Sequence, residues 1–221
     1  MLEGYVYAIG LVLLLILTAT HWLDGFLEER DQKKSRRVKL IFFFLSLLLT
    51  QGFYLPLLNG YYLNLSHLLF IFPLCLYHFW RLPASQMGQT AAVILFLAVF
   101  YVASQQMFLL DPILMILSPL ILYPSLFALL TFLVTTDLSR QWLTISFGMM
   151  AGEMIYKALI LQKSKVVWVG DASFRDQFFL ALIAVTLLTV VWESLGKFVR
   201  RIHLKTSWRV RFLPGVTKRR A

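Results

Sequence analysis

Seven apolar runs, each close to membrane length, follow one another along this chain, and nothing else in it restricts the fold so strongly. They lie at about 4–23, 40–58, 63–80, 88–110, 112–135, 141–162 and 177–198. A hydrocarbon core about 30 Å thick calls for about 20 residues of helix at 1.5 Å each. The runs lack the alternation of barrel strands, and an open sheet would leave backbone groups unpaired in lipid, so helix is the expected spanning form. The expected architecture is all-α. It is a polytopic membrane helical bundle of seven transmembrane helices over residues 1–198, followed by a basic cytoplasmic tail, 199–221. Composition supports lipid as the solvent: of 221 residues, 59% are hydrophobic and 14% charged, outside the range of soluble domains. The run from Gly4 to Leu23 follows no cationic segment and reads as a retained first helix rather than a cleaved signal.

Asn59-Gly60 and Asp111-Pro112 read as turns between neighbouring runs, and Pro83 with the polar stretch after it separates the third run from the fourth. With seven crossings, 17 of the lysines and arginines fall on one side of the membrane and three (Lys163, Lys165, Arg175) on the other. That asymmetry predicts an N-terminus outside and a cytoplasmic C-terminus. The last segment, with nine cations between Lys197 and Arg220 and no acid, suits an anionic inner-leaflet surface. It carries no nucleic-acid-binding module, so no nucleic-acid partner is expected.

The sixth run, QWLTISFGMMAGEMIYKALILQ, holds two ionisable residues inside apolar sequence. Glu153 and Lys157 are four apart, share one helix face, and have the acid first, the favourable order for an ion pair. Charge at bilayer depth faces other helices or water rather than lipid. On the seven-helix threading, Gln51, His67, Gln105 and Gln106 gather with that pair between the middle of the bilayer and its outer face. The six residues outline a candidate ligand-binding pocket open to the exterior. The competing expectation is that Glu153 and Lys157 neutralise each other and that the glutamines hold helices together. Gly148 and Gly152 form a GxxxG pair, which lets another backbone approach and places this helix at the centre of the bundle or at a homodimer seam.

Metal and cofactor chemistry find no support in the spacing. The single cysteine, Cys75, cannot form an intrachain disulfide, and His67 and His78 are about 16 Å apart along a helix. No nucleophile–base pair or catalytic glycine motif is evident, so the chain reads as non-enzymatic.

The opening MLEGYVYAIG, the charged first loop, GYYLNLSHLL and MAGEMIYK together resemble the YphA-type membrane proteins of spore-forming bacteria. The resemblance spans most of the chain, implies a multi-pass protein of a bacterial plasma membrane, and assigns no functional residue. The expected function is that of a scaffold or accessory subunit in a membrane assembly. The alternative is a small transporter or receptor that uses the Glu153–Lys157 pair.

Overall fold

The computed structural model describes residues 4–20, 33–58, 60–67, 71–110, 118–162 and 164–211. Seven helices and three short strands follow in the order α1 (Tyr5–Ala19), α2 (Lys33–Thr50), β1 (Tyr54–Leu58), β2 (Tyr61–Asn64), α3 (Phe72–Trp80), α4 (Ala84–Leu110), α5 (Pro119–Val134), α6 (Leu138–Leu161), β3 (Val167–Val169) and α7 (Ala172–Arg211).

The arrangement of seven transmembrane helices is overturned. Among the described residues three helices, Ala84–Met107, Leu138–Leu161 and Ala172–Gly196, are long and apolar enough to cross a membrane. The others are apolar but short. The 15 residues of α1 and the 16 of α5 reach about 22 and 24 Å, and the nine of α3 about 14 Å, against a core of about 30 Å. Two of the apolar runs are not single helices. The second leaves helix at Thr50 and continues as β1, and the third takes in the end of β2 before α3. The charge count that placed the N-terminus outside assumed seven crossings and loses its footing with them.

Why these segments choose strand is visible in their residues. Tyr54, Tyr61, Tyr62, Val167, Trp168 and Val169 are aromatic or β-branched, types that fit a pleated surface. β2 lies in the middle, antiparallel to β1 and parallel to β3, with Tyr62 opposite Pro56 and Trp168. Gly60 enters this sheet at φ +85°, and a Cβ there would stand 2.1 Å from the Lys165 carbonyl oxygen, so no other residue fits the turn. Trp168 stacks on Tyr62 at 4.6 Å and meets Tyr54 edge-on at 4.8 Å.

The helical core lies where α4 packs along α6 and α5 along α7. Leu97, Phe127, Ala128, Ile145, Met149, Ala181 and Val185 are fully buried there. Gly148 and Gly152 face α4. A Cβ on Gly148 would sit 2.7 Å from the Leu97 Cβ, and one on Gly152 2.6 Å from the Tyr101 Cβ, so the absence of side chains sets the approach of the two helices. Leu95, Phe96 and Val99 on α4 and Leu187, Val190, Val191 and Trp192 on α7 point outward, the apolar exterior of a bundle solvated by lipid. α7 runs unbroken past residue 198 to Arg211, so the start of the basic segment continues that helix, and residues 212–221 lie outside the described residues.

At the end of the bundle away from the sheet, a buried amide joins three elements. Gln141 Nε2 donates to the Thr135 carbonyl at 2.7 Å, and its Oε1 accepts from the Thr189 hydroxyl at 2.7 Å. The side chain thus holds the α5–α6 connection against α7.

Candidate functional site

At the sheet-bearing end, α6 delivers Glu153 and Lys157 one turn apart, Lys157 about 6 Å before the helix ends. Glu153 is 2% exposed, and its Oε2 accepts a 2.7 Å hydrogen bond from the Tyr101 hydroxyl on α4. Its other oxygen lies 3.5 Å from Lys157 Nζ, close enough for electrostatic attraction but without a hydrogen bond. The lysine's stronger partner is Asp171, just before α7, at 2.7 Å. One ammonium is therefore held between two carboxylates.

Asp171 is placed by its second oxygen. Oδ1 accepts the Phe174 backbone N–H at 2.9 Å, the bond of an N-cap residue to the third position of its helix. Helix geometry thus fixes one oxygen and leaves the other to meet Lys157. The lysine and aspartate side chains are 18% and 35% exposed, whereas Glu153 is closed off. Beside the pair opens a recess of about 390 Å³ lined by Tyr54, Lys157, Ile160, Val166, Val167, Trp168 and Asp171.

On the inner side of Glu153 lies a smaller apolar cavity of about 110 Å³, between His67, Met150, Glu153, Gly170 and Phe174. His67 is fully buried. Its Nδ1 is 3.4 Å from both the Asn64 side-chain oxygen and the Ser66 hydroxyl, and its Nε2 has no hydrogen-bond partner. The ring packs against Phe174 and Phe178. Burial pushes the imidazole pKa down to about 3, helped by the Arg175 cation and opposed by Asp171, so this side chain is neutral at physiological pH.

Behind the histidine is a second polar group, made largely of bonds to main chain. Asp176 accepts the backbone N–H groups of Gly4 and Tyr7, each at 2.7 Å, and so caps α1 from another helix. Arg175 donates to the Gln51 carbonyl and lies 5.7 Å from the centre of the Tyr7 ring. Asn64 donates to the same carbonyl at 2.9 Å and accepts from the Ser66 hydroxyl and backbone N–H. Gly170, at φ +71°, lets the chain pass: a Cβ there would lie 3.0 Å from Asn64 and 3.1 Å from the imidazole of His67.

The six expected pocket residues thus separate. Glu153 and Lys157 form the centre of the charged group. Gln105 and Gln106 are half-buried on α4, about one turn beyond the Tyr101 that bonds Glu153. His67 lies across the inner cavity from Glu153, not in the open recess. Gln51 participates through its backbone carbonyl. Tyr101, Asp171, Arg175 and Asp176 are additions from the structure. Asp171 and Asp176 had a sequence signal in DASFRD, since an Asp just before an apolar run is a common helix start. Among the described residues no group of three or more histidine, cysteine or acidic side chains is placed to hold a metal ion.

A family model described as YphA-like integral membrane protein matches residues 26–211. No curated protein and no solved structure matches the chain.

Proposed function

The chain belongs to the family of YphA-like integral membrane proteins, multi-pass proteins of the bacterial plasma membrane, and from that premise we propose that it acts as a non-enzymatic scaffold or accessory subunit of a membrane assembly. The observation that carries this reading is the sharing of Lys157 between Glu153 and Asp171. Together with the Tyr101 hydroxyl, it ties α4, α6 and the start of α7 into one frame at the sheet-bearing end. An ionised group left unpaired at depth would be costly, and an ammonium held between acids from α6 and the start of α7 serves to keep those helices in a fixed arrangement. The apolar outer faces of that frame remain for lipid and for other membrane proteins or a second copy. The Lys197–Arg220 segment supports contact with anionic headgroups, at about 1 kcal/mol per cation near the surface.

Native mass spectrometry of the full-length protein released gently from its own membranes tests the proposal. A complex of defined stoichiometry, heavier than the 25.6 kDa chain, is expected. It should persist in the charge-neutral double variant Glu153→Gln, Lys157→Met, provided that variant stays folded. A monomer under every gentle condition contradicts the accessory role.

A further inference from the structure

The open recess beside Asp171 has a composition that a purely structural cluster does not require. It is lined by the Lys157–Asp171 pair, by the aromatic side chains of Tyr54 and Trp168, and by Ile160, Val166 and Val167. Trp168 is 45% exposed although it stacks on Tyr62 and meets Tyr54 edge-on, so part of the residue remains accessible. A volume of about 390 Å³ is within the range of small-molecule sites, roughly 300–1,000 Å³. The inner cavity, at about 110 Å³, is below it.

The charges choose the sign of the guest. One ammonium, Lys157, lies between two carboxylates, of which Glu153 is closed off toward the inner cavity and Asp171 lines the recess. Each Asp171 oxygen has one partner and retains a lone pair. Among the described residues, Lys165 is exposed beside Val166, and Arg175, one turn along α7 from Asp171, is buried and turned to the Gln51 carbonyl. An electron-rich aromatic wall next to a carboxylate with spare acceptor capacity is the setting in which organic cations bind. An anion would instead have to compete with two carboxylates for a single lysine that is already paired.

The level of the recess points the same way. Lys157 stands one turn before the end of a membrane-length helix, and Tyr54, Tyr62 and Trp168 cluster just beyond it, the residue types that mark the headgroup zone. We propose that this recess is a binding site for a small organic ammonium group, carried either by a free amine or by an amine-bearing lipid headgroup. In this assignment the ammonium lies against the Trp168 and Tyr54 faces and donates to Asp171, while Lys157 remains in place between its two acids. The site goes beyond the accessory role and does not depend on it.

Two arms separate the sources. In the first, ethanolamine hydrochloride is titrated into the full-length protein in nanodiscs made only of phosphatidylglycerol, with isothermal calorimetry as the readout. In the second, the protein in nanodiscs of mixed phosphatidylethanolamine and phosphatidylglycerol is released for native mass spectrometry, and the retained lipids are counted. Binding in the first arm alone identifies a free amine, and selective retention of phosphatidylethanolamine alone identifies a headgroup; either supports the site. Trp168→Leu and Asp171→Asn should each weaken binding roughly tenfold. The asparagine retains an oxygen able to cap Phe174, and an unchanged melting temperature shows that the fold has survived. No ammonium binding in either arm, or binding that both folded variants retain in full, overturns the assignment. So does a preference for inorganic phosphate or phosphatidylglycerol that Lys157→Met abolishes. The stoichiometry measured for the accessory role is independent of all these outcomes.

Discussion

The start of α7 builds two polar groups within six residues, and they differ in what they bind. Asp176 and Arg175 reach main-chain groups: the amides of Gly4 and Tyr7 and the carbonyl of Gln51. Asp171 spends one oxygen on its own helix and turns the other to a side chain, Lys157, at the edge of a recess. The first group is buried and closed. The second is partly open and has unused acceptor capacity. The contrast teaches that charge near a bundle core serves architecture when its partners are backbone atoms of other elements. When its partners are side chains that can share, as at Lys157 and Asp171, the same group can join helices and still take a guest.

The largest effect that should separate the two groups is on stability. Asp176→Ala strands one buried and one partly buried amide donor and removes the cap of α1, a loss of about 2 to 4 kcal/mol. Thermal melting in mild detergent reads the loss, and hydrogen exchange should localise it to the first turn of α1. Asp171→Asn should cost under about 1 kcal/mol, because the ion pair it weakens is partly exposed. Equal losses in the two variants would erase the distinction between the groups.

Next in size is the packing beneath the charged group. In Gly152→Ala the new methyl meets the Tyr101 Cβ at 2.6 Å and the Ala98 carbonyl oxygen at 3.0 Å. Neither can move away without shifting α4, so a cost of up to about 3 kcal/mol is expected. The displaced Tyr101 should also lose its hydrogen bond to Glu153, visible as a change in tyrosine ultraviolet resonance Raman bands.

A smaller effect comes from pH. His67 lies outside the three helices of membrane-crossing length, and its pKa falls from 6.5 in the unfolded chain to about 3 in the fold. A depressed histidine pKa means the fold is favoured by the neutral form. Its contribution is complete above pH 6.5 and is lost as pH falls toward 3. Between pH 7 and pH 5 the loss should be about 2 kcal/mol. Melting curves of the wild type and of His67→Gln should converge as pH falls over this interval, and parallel curves would show that the imidazole is not held neutral.

Much of the bundle is legible in the sequence, and the parts that are not have physical causes. The runs around Leu97, Met149 and Val185 are apolar over the length of a membrane crossing, and each forms such a helix. The i,i+4 spacing of Glu153 and Lys157 carries directly into a shared face. Hydropathy does not separate an apolar strand from a helix, and so β1 and the end of β2 fall inside runs that look continuous. β2 is held as a strand between β1 and Val167–Val169, and the second partner is about a hundred residues away, a contact no local pattern reports. The contribution of Asp171 is hidden for a similar reason. Its capping role is local and readable, but its meeting with Lys157 depends on how α6 and α7 come together. Gln51 could not be assigned from its residue type at all, because the atom that matters is its backbone carbonyl.

Hydrogen exchange of the wild-type protein in phosphatidylglycerol nanodiscs, with and without saturating ethanolamine or phosphatidylethanolamine, addresses the division between an open and a closed group most directly. Protection confined to amides between Val166 and Phe174, with Gly4 and Tyr7 unchanged and already slow, is the predicted pattern. Equal protection at both places, or none between Val166 and Phe174 with either amine, would contradict it.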